Sequence, residues 1–299
     1  MSQLWVDKYR PSSLNDLDFH NNLTEQLKKL AKTEDLPHLL FYGPPGSGRK
    51  TRIFAFLKEI FGPGAEKIRL DTKSFVTPSS KKVDVNVITS NYHIELTPSD
   101  VGIYDRIVVQ EIIKEIAQTQ SVDTSSNKSF KIVLLNEAHS LSVDAQHALR
   151  RTMEKYANNM RIIMCCNSLS KIIAPIRSRC FMIRVPSPTI DQTVKVLNGV
   201  AKKERLAIPD IVSEKIAIQS ERNLRAAVIM LEAEISRNYP VPENTVLEGF
   251  DWQDAIVAIA KDIIGEQTPS KLLFIRKKIY ELLTTCIPPL VIIKVFNFR

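Results

Sequence analysis

"GPPGSGRKT", residues 43–51, stands between "PHLLFY" (37–42) and "RIFAFLKEIFG" (52–62). The preceding stretch is a short apolar run, as a buried strand is, and the following one repeats apolar residues at helical spacing. Strand, glycine-rich loop and helix together form the setting of a phosphate-binding loop, whose backbone N–H groups curl round phosphate oxygens at a helix N-terminus. Gly43 and Gly48 fit the two glycines of G-x-x-x-x-G-K-[ST], with Gly46 and Ser47 between them. This frame puts Arg49 in the lysine slot and Lys50 in the slot of the metal-binding hydroxyl, leaving Thr51 one place late. A frame shifted by one residue would align Lys50 and Thr51, but it needs glycines where Pro44 and Arg49 stand, and neither tolerates unusual dihedrals as glycine does. The loop keeps its backbone and has its two chemically decisive side chains rewritten.

A second half of such a site is expected at the end of a parallel strand beside the loop, where an acid holds Mg²⁺ and a glutamate often follows. "FKIVLLNEAH", residues 130–139, is an apolar run ending in Asn136 and Glu137. Both departures fall on the metal, since a cation replaces the hydroxyl and an amide replaces the carboxylate. Mg²⁺ with an aspartate and a lysine with an asparagine carry the same net single positive charge, so the Lys50 ammonium can stand where the metal would. Arg49, Lys50 and the backbone donors still suit a diphosphate or triphosphate. Hydrolysis needs a metal bridging the β- and γ-oxygens. The expected cofactor is therefore ATP or ADP without tightly held Mg²⁺, turned over poorly or not at all, and no metal residue is assigned.

The whole chain has 299 residues, enough for two or three cores. Its 44% apolar and 25% charged composition is that of a globular protein. With 41 basic and 33 acidic side chains the net charge is +8, which favours a polyanionic partner. Four cysteines, Cys165, Cys166, Cys180 and Cys286, form no C-x-x-C pair and suit a reducing compartment. No stretch reads as a signal peptide or a membrane span, so cytosol or nucleus is expected.

Strand-like runs "PHLLFY", "KIRLD", "YHIEL", "FKIVLL", "RIIMCC" and "CFMIRV" alternate with helical stretches up to about residue 185, which predicts α/β architecture with a parallel sheet covered by helices. "KVDVNVITSNYHIEL" (82–96) predicts a hairpin inserted into that fold, and "SVDTSSNKS" (121–129) an exposed loop. After "VPSPT" (185–189) three helical stretches run to about residue 240, and after "NYPVPEN" (238–244) two or three more run from 251 to the end.

"LWVDKYRPSSL" (4–14), the loop, "NEAH", "DAQHALRRTMEKY" (144–156), "CNSLSKIIAPIRSRC" (166–180) and "NLRAA" (223–227) together resemble the small subunits of replication factor C, the eukaryotic clamp loader of the AAA+ class. The resemblance covers nearly the whole chain. The rewritten loop, the Asn-Glu strand end and the long insertion at 77–100 are similar to one branch of that family, numbered third in animals and fifth in budding yeast. The resemblance implies an AAA+ P-loop core at 1–185, a helical lid at 186–245 and a partial all-α collar at 246–299. It implies that Val6, Tyr9, Arg10 and Pro11 lie against the adenine, that Asn167 faces the γ-phosphate, and that Arg225 reaches the phosphates from the lid. It makes Arg179 an arginine finger acting in trans on a neighbour's ATP, and Glu137 the catalytic position of a degenerate site. "CIPPLVIIKVFNFR" (286–299) stops partway through the family's collar, which suggests a truncated or alternatively spliced product and puts ring assembly in doubt.

Implied partners are the other replication factor C subunits in a hetero-oligomeric ring, the sliding clamp and primer-template DNA, in the nucleus and away from membranes. Ala145, Ala148, Leu149, Thr152, Met153 and Tyr156 recur as a buried helical stripe, which leaves Arg150, Arg151 and Lys155 mostly outside it. Arg150 and Arg151, with Arg106 and Lys114 of "SDVGIYDRIVVQEIIK" (99–114), are the DNA-binding candidates that the resemblance implies. Two other readings stay open here: an autonomous P-loop DNA-dependent ATPase, and a nucleotide-free scaffold of a replication complex.

Overall fold

The computed structural model describes residues 3–76, 82–118, 130–157, 159–242, 247, 251–287 and 289–298. A first compact unit, Met1–Val241, is followed by a second, Pro242–Arg299. The first opens with α1 (Trp5–Lys8), α2 (Asn21–Lys32), β1 (His38–Tyr42) and α3 (Arg49–Phe61). It continues through β2 (Arg69–Val76), β3 (Lys82–Thr89), β4 (His93–Leu96), α4 (Asp105–Gln118), β5 (Lys131–Leu135) and α5 (Val143–Lys155). Then come β6 (Met160–Cys166), α6 (Ala174–Arg177), β7 (Cys180–Arg184), α7 (Ile190–Lys203), α8 (Asp210–Gln219) and α9 (Leu224–Arg237).

The seven strands of the described residues make one sheet in the order β2-β3-β4-β5-β6-β1-β7. From β4 to β7 every pairing is parallel. Because helices cover both faces, the central strands are apolar over most of their length, and alternate residues feed opposite cores. Ile132 and Leu134 join α3 residues Ile53 and Phe56 on one side. Val133 and Leu135 join α4 and α5 residues Ile112, Ile113 and Leu149 on the other. β1, between β6 and β7, is fully buried at Leu39, Leu40 and Phe41, which fixes the loop that follows it at the centre of the sheet's end.

The expected hairpin forms between β3 and β4, but β4 is also a parallel strand of the core. The "KIRLD" segment, expected among the parallel strands, enters β2 at Arg69, and β2 pairs antiparallel with β3 at the sheet's edge. The sheet is thus parallel in five strands and antiparallel in the added two. On α5 the expected stripe is buried except for Tyr156, which is half-buried. Gln146 is buried as well, unforeseen by apolar periodicity, because its amide donates to the Leu141 and Lys171 carbonyls and accepts from the Ile173 N–H. The loop expected at 121–129 lies outside the described residues, as does 77–81 of the insertion.

The second unit holds α10 (Asp251–Gly265), α11 (Pro269–Thr284) and α12 (Pro289–Phe298). Ile256, Ile259, Ile275, Leu282 and Ile292 form its core, with Val295 and Phe296 packed against them.

Candidate nucleotide site

β1 delivers the chain to Gly43, where a Cβ would lie 2.0 Å from the Val185 carbonyl oxygen, so only glycine lets the loop cross the end of β7 so closely. Gly46 has φ +72°, and a Cβ there would lie 1.7 Å from Asn223 Oδ1. Asn223 caps α9 by accepting the Ala226 N–H at 3.2 Å, so the N-terminus of α9 rests on the loop. Gly48 leads into α3, and Ser47 Oγ is buried without a hydrogen-bond partner. A glycine cradle at the start of a 13-residue helix fits a phosphate.

The two rewritten side chains point to different partners. The Arg49 guanidinium donates to the Cys166 carbonyl and to Asn167 Oδ1 at the end of β6. Asn167 Nδ2 in turn lies 3.2 Å from His139 Nε2. Burial first, with Lys171 and Arg49 nearby, holds the His139 imidazole below its usual pKa against the opposing pull of Glu137. Lys50 Nζ forms an ion pair with Glu95 Oε1 on β4. The same oxygen accepts from Asn136 Nδ2 at 2.6 Å. Glu95 is 3% exposed. A Mg²⁺ ion does not fit this arrangement: an ammonium occupies the hydroxyl's place, and the strand-end amide turns its N–H donors to a carboxylate. Among the described residues no group of three or more His, Cys, Asp or Glu side chains converges to hold a metal.

Round the loop lies a cleft of about 960 Å³. Its walls include Val6, Tyr9, Arg10 and Pro11 from the N-terminal segment, Gly46, Gly48, Arg49, Lys50 and Thr51 from the loop and α3, Asn136, Glu137 and Asn167 from strand ends, and Arg225 from α9. Gly43 and Ser47 support the loop without lining the cleft. Lys195 and Lys203 of α7 also face it, unforeseen because isolated lysines on an amphipathic helix read as solvated charge. The N-terminal segment is pinned to α9 and the end of α7: Tyr9 hydroxyl donates to Glu204 Oε1 at 2.6 Å, Lys8 Nζ pairs with the same oxygen at 2.6 Å, and the Trp5 N–H donates to Glu232 Oε2 at 3.0 Å. The Glu204 contact raises the Lys8 ammonium to about 12. Hydrogen bonds from Lys8 and Tyr9 lower the Glu204 carboxyl.

Outside the cleft, Arg179 donates to the Pro175 carbonyl at 2.8 Å and pairs with Glu154 of α5 at 2.7 Å. Arg150 shares Glu154 at 3.3 Å. Arg106 and Lys114 are exposed on α4, and Arg151 on α5. Like Lys195 and Lys203, the site residues Glu95, His139, Asn223, Glu204 and Glu232 were missed by sequence reasoning. For Glu95 a local signal existed, an acid near the end of the strand-like "YHIEL", but nothing local says which strand lies beside it.

The family model described as "DNA polymerase III, delta subunit" matches residues 19–189. That described as "RCF1/5-like, AAA+ ATPase lid domain" matches 195–234, and "Replication factor C subunit 3, C-terminal domain" matches 252–299. The chain is 50% identical over 291 residues to replication factor C subunit 3 of Mus musculus, covering 97% of the chain and 82% of that relative. It is 51% identical over 296 residues to replication factor C subunit 5 of Neurospora crassa, covering 99% and 84%. Among solved structures, the RuvB Holliday junction branch migration motor of Thermotoga maritima matches with a TM-score of 0.55 at 15% identity, covering 87% of this chain and 82% of that one. At that identity the likeness is one of fold.

Proposed function

We propose that this chain, which belongs to the replication factor C subunit 3 and 5 family of clamp-loader subunits, holds an adenine nucleotide as a nearly non-hydrolysing member of a clamp-loading ring. In this reading ATP or ADP lies in the cleft, with its base toward Val6, Tyr9, Arg10 and Pro11 and its phosphates on the loop backbone, Arg49 and Lys50. Arg225 and Asn167 close on the phosphate end. Glu137 keeps its place, but the site lacks the metal that would neutralise charge developing on a transferring phosphoryl group. Arg179 serves a neighbour's nucleotide, and Arg106, Lys114, Arg150 and Arg151 meet the phosphates of primer-template DNA while the ring holds the sliding clamp in the nucleus. Such contacts are sequence-independent and weaken steeply with salt.

The observation that carries this reading is the Lys50–Glu95–Asn136 cluster standing where a metal would be held. Titrating a labelled adenine nucleotide with Mg²⁺ and with a chelator tests it. Affinity is expected to change by less than about tenfold, roughly 1.4 kcal/mol, on chelation. A larger loss overturns metal-free binding; absence of binding favours a nucleotide-free scaffold; steady turnover by the isolated chain favours an autonomous ATPase.

A further inference from the structure

Glu95 has no place in the charge balance drawn from the loop and the Asn-Glu strand end, yet it touches both rewritten metal positions. β4 pairs with β5 in the register Glu95↔Leu134 and Leu96↔Leu135, and the Asn136 N–H donates to the Leu96 carbonyl at 3.0 Å. As the register partner of Leu134, Glu95 faces the side of the sheet that α3 covers, and Lys50 lies in the first turn of α3. The two strand ends and the helix start therefore meet at one carboxylate.

We propose that Glu95 is the anionic half of a built-in cation site whose resident ion is the Lys50 ammonium, and that this carboxylate accepts a divalent metal once the ammonium is removed. The proposal deepens the nucleotide reading above and rests on it for its first test. A carboxylate with 4% side-chain exposure needs a counter-charge and donors, because an unpaired buried charge is costly. Lys50 supplies the charge and Asn136 a neutral N–H, both to Oε1. An aspartate at 136 would set a second carboxylate at that 2.6 Å contact and repel the first. The two departures from the hydrolytic pattern thus share one cause: ammonium and amide are a matched donor set for Glu95, as hydroxyl and aspartate are for a metal. With Glu95 counted, the cluster is neutral rather than singly positive, which leaves Arg49 and the loop backbone to meet the phosphate charge. The Lys50 side chain is half-exposed and its ammonium carries three donors, so it can reach a phosphate oxygen while it stays on Glu95.

The test changes Lys50→Thr alone, keeping Asn136, whose amide can turn its oxygen toward a metal held by Glu95. A labelled ADP is titrated with Mg²⁺ and with chelator into the wild type, Lys50→Thr and Lys50→Thr/Glu95→Gln. The wild type is expected to be nearly indifferent to metal, Lys50→Thr to lose at least about tenfold in affinity on chelation, and the double variant to become indifferent again. A metal-indifferent Lys50→Thr, or a double variant that still depends on metal, overturns the proposal. A second arm needs no nucleotide. Lys50→Met strands the buried carboxylate and is expected to lower the unfolding midpoint, and adding Glu95→Gln is expected to restore most of it. Additive losses would overturn the proposal whether or not nucleotide binds, whereas a restored midpoint in a chain that binds no nucleotide supports the ion site and overturns only the nucleotide reading.

Discussion

Gly46 concentrates two demands on a single residue: a left-handed backbone and room for Asn223. Gly46→Ala adds about 1–2 kcal/mol of backbone strain and drives a methyl into the Asn223 side chain. Its unfolding midpoint is expected to fall and its nucleotide affinity to drop at least about tenfold. Gly62→Ala is the control, since Gly62 has φ +74° but a Cβ there would meet nothing within 4 Å; it should lose stability without losing nucleotide. His38 supplies a pH-dependent term. Its Nδ1 accepts the Ile162 N–H at 3.0 Å, and burial, with Arg161 nearby, lowers its pKa from 6.5 to about 4. Below pH 6.5 the unfolded chain binds a proton that the folded one refuses, so stability falls between pH 6.5 and about 4. The loss attributable to His38 is roughly 3 kcal/mol at its fullest. Denaturant titrations across that range should show a shallower fall for His38→Gln, which keeps an acceptor and cannot take the proton.

At the scale of elements, α9 acts through its N-terminus, where Asn223 both caps the helix and roofs the loop. α7 starts with a complete capping box, Thr189 and Gln192, outside the cleft walls. Asn223→Ala and Thr189→Ala should each cost about 1 kcal/mol in unfolding free energy. Only Asn223→Ala is expected to weaken nucleotide binding, measured by the same titration, because only that cap touches the loop. Equal effects on binding would mean that the lid acts through its overall stability rather than through this contact. The N-terminal segment follows the same logic: α1 has no buried residue, so its place at the cleft depends on Glu204 and Glu232 reaching it from the lid.

For the whole molecule, the proposed function has a rewritten site and an arginine serving a neighbour divide the work between subunits. In P-loop enzymes such fingers contribute roughly 10³–10⁵ in rate at the site they serve, diluted here by the other sites of a ring. Arg179→Ala, placed in an assembled loader, is expected to lower DNA- and clamp-stimulated ATP hydrolysis clearly. Glu137→Gln in the same subunit should leave it nearly unchanged. Steady-state ATPase with sizing to check assembly decides, and equal losses for the two variants would show that this subunit hydrolyses. The Arg179–Glu154 pair is half-exposed on both sides, so it is weak enough to yield to a neighbour's phosphates.

Local pattern alone was enough for the strand, loop and helix around residues 43–51, for the buried stripe of α5, and for the two substitutions at Lys50 and Asn136, because each is a property of neighbours in the chain. The other predicted cleft residues, Val6, Tyr9, Arg10, Pro11, Asn167 and Arg225, came from the family resemblance and not from local pattern, and they line the cleft. Tertiary structure alone decided that β2 sits antiparallel at the edge and that Glu95 lies beside Asn136. It likewise decided that Asn223 meets Gly46 and that Glu204 receives Tyr9 and Lys8. These partners are 41, 195 and 196 residues apart where hydrogen bonds join them. Strand order and helix packing set such distances, and no periodicity along the chain encodes them. The charge at the metal position changed from positive to neutral for that reason: a carboxylate from a neighbouring strand entered the balance only when the sheet was assembled.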